Sequence, residues 1–336
     1  MKFKNITLIA GGVGGAKLAE GFDAINEINL SVIGNIADDD TFHGLWVSPD
    51  IDTLTYSLAK IINRDQGWGL SNETFNSLKM LSKLNQETWM TLGDKDFGLH
   101  IYRTMRRQKG DSPSEIANDI SKYFGLKTKI ILPTDDIVKT KLLTENGWLN
   151  FQEYFVREKC IPKISKIKFD GIEKAVPNKE SISSLKNADL IVLAPSNPLV
   201  SLSPIIDIPL IRETIINAKA PKVAVSPFIG NKTIKGPANK MMEELGEKPN
   251  HTTRNVDIAI LDKKIAINFL FDDSYLINGS KPLLGKVALK VRHYECLGWS
   301  SIGMSETQFN RIATLEKKKK FLNTTLKLDE YKDDDE

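Results

Sequence analysis

The first strong signal along the chain is a short apolar run, Ile6 to Ala10, that stops at Gly11-Gly12-Val13-Gly14-Gly15. Two later segments repeat the arrangement: Leu190 to Ala194 before Pro195-Ser196-Asn197-Pro198, and Lys222 to Val225 before Ser226-Pro227. In each the apolar residues are continuous rather than alternating, as a parallel strand buried on both faces requires, and a helical pattern follows the loop. These segments predict an α/β fold with a Rossmann-like parallel-sheet core. Their loops should gather at the carboxyl edge of the sheet, where such folds bind ligands.

Between the first and second of these strands the pattern turns helical, from Leu54 to Ile62 and from Glu73 to Leu84. It then gives way to β-branched and aromatic residues at Lys127 to Leu132 and at Leu149 to Val156, which read as strands and hairpins. The expected organisation is a core made of residues 1–54 and 181–300, carrying an inserted mixed α+β subdomain at 55–180. Residues 324–336 close the chain in an acidic run that reads as a disordered tail. No repeat at a period of about 20 to 50 residues is visible.

Composition narrows the function classes. The 336 residues carry 46 Lys and Arg against 43 Asp and Glu, a net charge of +3, which disfavours a dedicated nucleic-acid binder but leaves nucleotide ligands open. Two cysteines, Cys160 and Cys296, supply neither a disulfide framework nor a zinc site, and the four histidines show no metal-binding spacing. Ile6 to Ala10 is too short for a signal-peptide core, and no apolar run approaches the roughly 20 residues of a membrane-spanning helix. A cytoplasmic protein without membrane or nucleic-acid partners is expected.

Several loops carry candidate chemistry. Glycines directly after a strand let backbone N–H groups converge on a phosphate at a helix N-terminus, although a tight strand-to-helix turn needs the same residues. The loop is not a P-loop, which would require GxxxxGK[ST]. About twenty residues on come Asn35-Ile36-Ala37-Asp38-Asp39-Asp40 and then Ser48-Pro49-Asp50-Ile51-Asp52-Thr53. A single acid there would suit a dinucleotide ribose, whereas five aspartates within residues 38–52 suit magnesium sharing its shell with diphosphate oxygens. Helix-cap and turn chemistry is the alternative.

Trp68, between Gly67 and Gly69, could stack on a flat ligand or plug a core. Leu92-Gly93-Asp94-Lys95-Asp96, with His100 and Arg103, could grip a polar substrate or form paired residues at a helix start. Pro195-Ser196-Asn197-Pro198-Leu199-Val200-Ser201 would present fixed hydrogen-bond groups to an anion. Ser226 to Gly230 and Lys235 to Ala238 could add donors at the same edge. No serine lies in a GxSxG setting, which disfavours a serine hydrolase.

These strings, in this order, resemble the 2-phospho-L-lactate transferase family of coenzyme F-420 biosynthesis (CofD-like). The resemblance rests on GGVGGAKLAEG, NIADD, SPDIDT, GWG with ET, LGDKDFGLH, LPTDD, FQEYFVR, APSNPLVS, IRE, AVSPFIG and KGPA. It runs from about Ile6 to Leu245, and the residues beyond depart from the pattern. It implies magnesium-dependent transfer of a phospholactyl or related phospho-three-carbon-acid group. The donor would be a guanosine-diphosphate-linked acid, the acceptor the 5′-hydroxyl of the deazaflavin Fo, and GMP would leave.

By the same resemblance, Gly11, Gly12, Gly14, Gly15 and Lys17, with Asn35, and Ser196, Asn197, Pro198 and Ser201 would hold the nucleotide. Asp38 and Asp39 would bind Mg²⁺. Asp52 and Thr91 would lie by the deazaflavin in the 55–180 region and its border, with Asp52 orienting or deprotonating the hydroxyl and Asp94 as second choice of base. A homodimer is expected. Two other classes compete: a YvcK-type nucleotide-sugar-binding regulatory protein without catalysis, which shares the glycine and Ser-Asn-Pro loops, and a nicotinamide-dependent oxidoreductase.

Overall fold

The computed structural model describes residues 3–229, 232–233, 236–246, 258–260, 265–270, 275–277, 280–283, 300–305 and 317. The chain divides into two compact units, residues 1–222 with 233–248, and residues 223–232 with 249–336.

In the first unit, β1 (Asn5–Ala10) leads into α1 (Gly12–Asp23), β2 (Asn29–Gly34), the hairpin β3 (Asp40–Phe42) and β4 (Leu45–Val47), and α2 (Pro49–Leu58). Next come α3 (Asn76–Lys83), α4 (Asp94–Gln108), α5 (Pro113–Tyr123), β5 (Lys129–Ile131), β6 (Lys139–Thr144), β7 (Gly147–Asn150) and β8 (Ile164–Asp170). They are followed by α6 (Lys179–Lys186), β9 (Leu190–Leu193), α7 (Ser203–Ile206) and α8 (Ile211–Asn217). Beyond β10 (Lys222–Val225) and a short pair, β11 (Phe228–Ile229) and β12 (Lys232–Thr233), α9 (Ala238–Glu244) belongs again to the first unit.

The predicted α/β architecture is present. Strands β9, β1, β2 and β5 pair in parallel in that order, with Ile9 opposite Leu193 on one side and Ile33 on the other. Strand alternation sends Ile9, Ile33 and Ile131 to one face, where they bury against Leu185 of α6, Ile205 of α7 and Ile211 of α8. The opposite face receives α2 at very close range: a Cβ on Gly34 would lie 2.6 Å from Ile51 Cδ1. Burial of both faces explains why β1 and β9 read as mainly apolar runs.

A second, antiparallel sheet, β7-β6-β8, packs Leu142 and Ile164 with Phe151, Tyr154, Val200 and Met241. Strand β5 lies within the expected 55–180 insertion, yet it hydrogen-bonds to β2 as an edge of the main sheet. One local expectation is corrected. Residues Glu153–Arg157 form a π-helical turn instead of continuing a strand from Leu149, because Phe151 and Tyr154, three apart, both turn into one core. The helix expected from Leu54 starts earlier, at Pro49, and ends before Lys60, whose φ is +60°.

In the second unit, β10 pairs antiparallel with β13 (Ile258–Ile260), which pairs antiparallel with β14 (Ile265–Leu270). Strand β14 then runs parallel to β17 (Ser300–Ser305), and β15 (Tyr275–Ile277) forms a separate hairpin with β16 (Ser280–Leu283). The expected tail at 324–336, and Gly230 and Lys235 of the two later candidate loops, lie outside the described residues. Among the described residues no helix is long and apolar enough to cross a membrane.

Candidate active site

The glycine turn and the Ser-Asn-Pro turn meet. The Ser196 hydroxyl donates to the Gly11 carbonyl at 2.7 Å and accepts from the Gly11 N–H at 3.1 Å. Close packing across this junction explains the glycines. A Cβ on Gly14 would lie 2.2 Å from the Pro195 carbonyl oxygen, and one on Gly11 would lie 2.6 Å from Asp50 Oδ2. Gly12 has φ +61°, the left-handed region that favours glycine. The glycines thus serve approach of one protein segment to another at the N-terminus of α1, the end of a helix that attracts anions. Lys17 is exposed on α1.

Asn197 caps the short π-helical turn Pro198–Leu202, its Oδ1 accepting from the Leu199 N–H at 3.0 Å, with Pro198 at the first position. Ser201 is buried in this turn. Asn35, at the end of β2, is fully buried and donates from Nδ2 to Asp50 Oδ2 at 2.9 Å and to the Val200 carbonyl at 3.4 Å. It therefore ties the end of β2 to α2 and to the Ser-Asn-Pro turn.

Four aspartates around these turns, Asp38, Asp39, Asp50 and Asp52, are buried. Burial raises the Asp38 carboxyl well above the ordinary range, helped by neighbouring Asp50 and Asp39. Burial likewise pushes Asp39 to about 8, against hydrogen bonds from Ser48 and Trp46 and the charge of Arg103. Asp50 rises to about 6 for the same first reason, opposed by Asn35 and the Gly12 backbone. Asp39 Oδ2 accepts from Ser48 Oγ at 2.7 Å and from the Trp46 indole N–H at 3.3 Å.

Its other oxygen, Asp39 Oδ1, has no hydrogen-bond partner among the described residues, and neither do Asp38 Oδ1 and Thr140 Oγ1. Buried polar atoms without partners are rare, and two carboxylate oxygens left this way suit a hard cation. No group of three His, Cys, Asp or Glu side chains converges on a metal position among the described residues.

Between α2 and α4 lies a buried ion-pair network. Arg103 engages both oxygens of Asp52, one of them at 3.1 Å, and its guanidinium donates to His100 Nδ1 at 3.0 Å. Burial alone would lower the Arg103 guanidinium, but Asp52 outweighs it and the net shift is upward. Burial drives His100 down to about 4, so at neutral pH it is an uncharged acceptor. Tyr56 donates to Asp96 at 2.7 Å, and burial lifts Asp96 to about 6.

Asp94 stands elsewhere. It accepts from Thr74 Oγ1, the Asn76 and Ser77 amides and Asn76 Nδ2, which hold its carboxyl below the usual range, the Thr74 hydroxyl foremost. Glu73 returns the cap, accepting from the Lys95 and Asp96 amides at 3.0 Å each. Asp94 and Glu73 thus lock the start of α3 to the start of α4, and an acid so stabilised as its anion is a weak base. Thr91 is exposed nearby in sequence, and Trp68 is 49% exposed, which removes its reading as a core plug.

The structure thus gathers Gly11, Asn35, Ser196 and Ser201 around one junction, with Asp38 and Asp39 in the loop leaving Asn35 and Asp52 in α2. Sequence reasoning counted Asp50 in the aspartate cluster without giving it a role of its own, and missed Trp46, Arg107 and Thr140. A signal for the α4 network was available: Asp96, His100 and Arg103 fall at i, i+4 and i+7, one face of a helix. Two turns joined at a helix N-terminus, with unpartnered carboxylate oxygens in the next loop, are the kind of arrangement that can hold a phosphorylated ligand.

Residues 6–284 match the protein family described as 2-phospho-L-lactate transferase CofD, so the likeness extends past Leu245. A 2-phospho-L-lactate transferase of Methanopyrus kandleri is 37% identical over 246 residues, covering 73% of this chain and 78% of that protein. A phosphoenolpyruvate transferase of Streptomyces coelicolor is 36% identical over 247 residues, 72% of this chain and 77% of that protein. Among solved structures, a UPF0052-family protein of Bacillus halodurans superposes with a TM-score of 0.53 at 17% identity, covering 91% of this chain and 93% of that one, a likeness of fold.

Proposed function

The chain belongs to the 2-phospho-L-lactate transferase family, and from that premise we propose that it moves a phospholactyl or related phospho-three-carbon-acid group from a guanosine-diphosphate-linked donor to the 5′-hydroxyl of Fo. The hydroxyl oxygen attacks the phosphorus that bears the acid, the bond to the GMP phosphate breaks, GMP departs and the hydroxyl proton is lost. The observation that carries this reading is the Ser196 hydroxyl joined to both polar groups of Gly11, which brings the glycine turn and the Ser-Asn-Pro turn together at the N-terminus of α1. Beside it lie the unpartnered oxygens of Asp38 and Asp39.

Asp38 and Asp39 would hold Mg²⁺, which when bound supplies charge neutralisation on phosphate oxygens. The Gly11 to Gly15 turn, Asn35, Ser196 and Ser201 would position the donor's phosphates. Because Arg103 engages both oxygens of Asp52, we assign Asp52 to orienting the acceptor hydroxyl; taking its proton would disrupt a buried ion pair. Phosphoryl-type transfer depends mainly on alignment and charge stabilisation, so no strong base is demanded.

The test is incubation with Fo, Mg²⁺ and guanosine-diphospho-lactate, and in parallel the enolpyruvyl donor, with GMP followed by chromatography. GMP and a phosphodiester product in at least one arm support the reading. Absence of GMP in both arms, with intact donor recovered, refutes it.

A further inference from the structure

Outside the loops already described, α4 presents a second polar cluster built on Trp46. The indole is fixed from two sides: its ring N–H donates to Asp39 at 3.3 Å, and its backbone N–H donates to Thr104 Oγ1 of α4 at 2.9 Å. One turn further along α4, the Arg107 guanidinium stacks on the ring with its central carbon 4.0 Å from the centroid. Lys139 approaches the same ring at 5.5 Å.

Three cations therefore surround Asp39 and Trp46, and their commitments differ. Arg103 is held by Asp52, and Lys139 pairs with Asp40. The half-buried Arg107 guanidinium makes no side-chain hydrogen bond or close ion pair among the described residues, and the acids that act on it at longer range are Asp39 and Asp135. A guanidinium whose central carbon sits 4.0 Å over an indole is held in place by the ring, and its planar fork of N–H donors suits a carboxylate or phosphate, which it can meet with two parallel hydrogen bonds.

We propose that Arg107, levelled on Trp46, is an anion clamp that recognises the carboxylate of the transferred three-carbon acid. The inference rests on the transferase reading. A single indole separates the guanidinium from Asp39, the metal candidate. In such a donor the phosphate oxygens go to the cation and the two anion-binding turns, and the acid's carboxylate, a few bonds from the same phosphorus, is the remaining anion. Arg107 is then a binding residue that sets donor specificity.

The experiment uses the full chain with Mg²⁺ and titrates three probes by calorimetry: GDP, guanosine-diphospho-lactate and its lactamide analogue, which lacks the carboxylate charge. Wild type should bind the lactate donor more tightly than the lactamide analogue. Arg107→Gln should weaken the lactate donor about ten- to a hundred-fold, erase that discrimination and leave GDP affinity unchanged. Arg107→Lys, which keeps a cation on the ring without the planar fork, should fall between, with donor KM rising more than kcat changes.

If Arg107→Gln weakens GDP as much as the lactate donor, the guanidinium serves the diphosphate and the carboxylate assignment is wrong. If donor affinity and discrimination persist in Arg107→Gln while transfer to Fo continues, the clamp is refuted and the transferase reading survives. If wild type binds none of the probes and releases no GMP, both fall together.

Discussion

Arg103 offers a sharp test of how the α2–α4 junction is held. Its guanidinium is the buried cation that faces Asp52, and it also donates to His100. Replacing it by methionine fills similar volume but leaves the Asp52 charge inside the protein without its partner. Breaking one side of a buried pair costs about 3–5 kcal/mol, a large share of the roughly 5–15 kcal/mol by which domains are stable. A second group modulates that cost. His100 Nδ1 lies 3.9 Å from Asp52.

In the wild type His100 is held near 4 by burial and, less strongly, by Arg103, against the pull of Asp52. Without Arg103 the pull of Asp52 gains ground, and the folded pKa of His100 moves upward, toward or above its unfolded value of about 6.5. A histidine raised in this way contributes stability below its unfolded pKa and loses it as pH rises through the folded one.

Arg103→Met should therefore lose about 3–5 kcal/mol near pH 8.5, where His100 is neutral, and less near pH 5.5, where His100 replaces the missing cation. The assay is urea denaturation of wild type, Arg103→Met and the Arg103→Met/His100→Gln double variant at both pH values. The double variant should lose the pH dependence. A cost under about 1 kcal/mol at the higher pH would refute the argument, since that is the range of an exposed pair. An equal cost at both pH values would refute the role given to His100.

Three further outcomes are expected. Gly14→Ala sets a methyl against the Pro195 carbonyl, 2.2 Å from the ideal Cβ position, and should cost about 1–3 kcal/mol in denaturation while slowing transfer; an unchanged melting temperature would show that the two turns do not touch this closely. Asp39→Asn removes a carboxyl raised to about 8, whose contribution is fully present below its ordinary value and lost as pH rises through about 8. In EDTA this variant should therefore gain on wild type by up to a few kcal/mol as pH climbs, and the thermal stabilisation of wild type by Mg²⁺ should vanish; a variant less stable than wild type at every pH contradicts the reading. Asp94→Ala should lower the melting temperature yet retain transfer, its stabilising effect in the wild type being lost as pH falls below the ordinary carboxylate range; loss of transfer in a folded variant would return Asp94 to the chemistry.

Much of the fold was legible in the residues. Apolar runs at Ile6, Leu190 and Lys222 became β1, β9 and β10; burial on both faces keeps β1 and β9 mainly apolar, whereas β10 is half-buried and pairs antiparallel with β13. The stretch at Lys127 was recognised as a strand, but its place beside β2 was not, since pairing depends on the path of the intervening helices. Phe151 and Tyr154 were misread because a few aromatic and β-branched residues satisfy a strand and a tight helical turn alike.

For the site, the residues along the chain determined what is local: which glycines permit positive φ or close approach, which aspartates follow a strand, and which acids fall at helix starts. Tertiary structure alone decided the partners. Asp52 and Arg103 lie 51 positions apart and nothing in their neighbours announces the pair; Gly11 and Ser196 lie 185 apart, and the strand pattern placed their loops at one edge of the sheet without showing that the two residues bond to each other. It also separated acids of the same type, Asp94 capped at the surface and Asp39 buried with a free oxygen. The ionisation of a carboxyl depends on the solvent it loses and the donors it meets, and both are set by how distant segments pack.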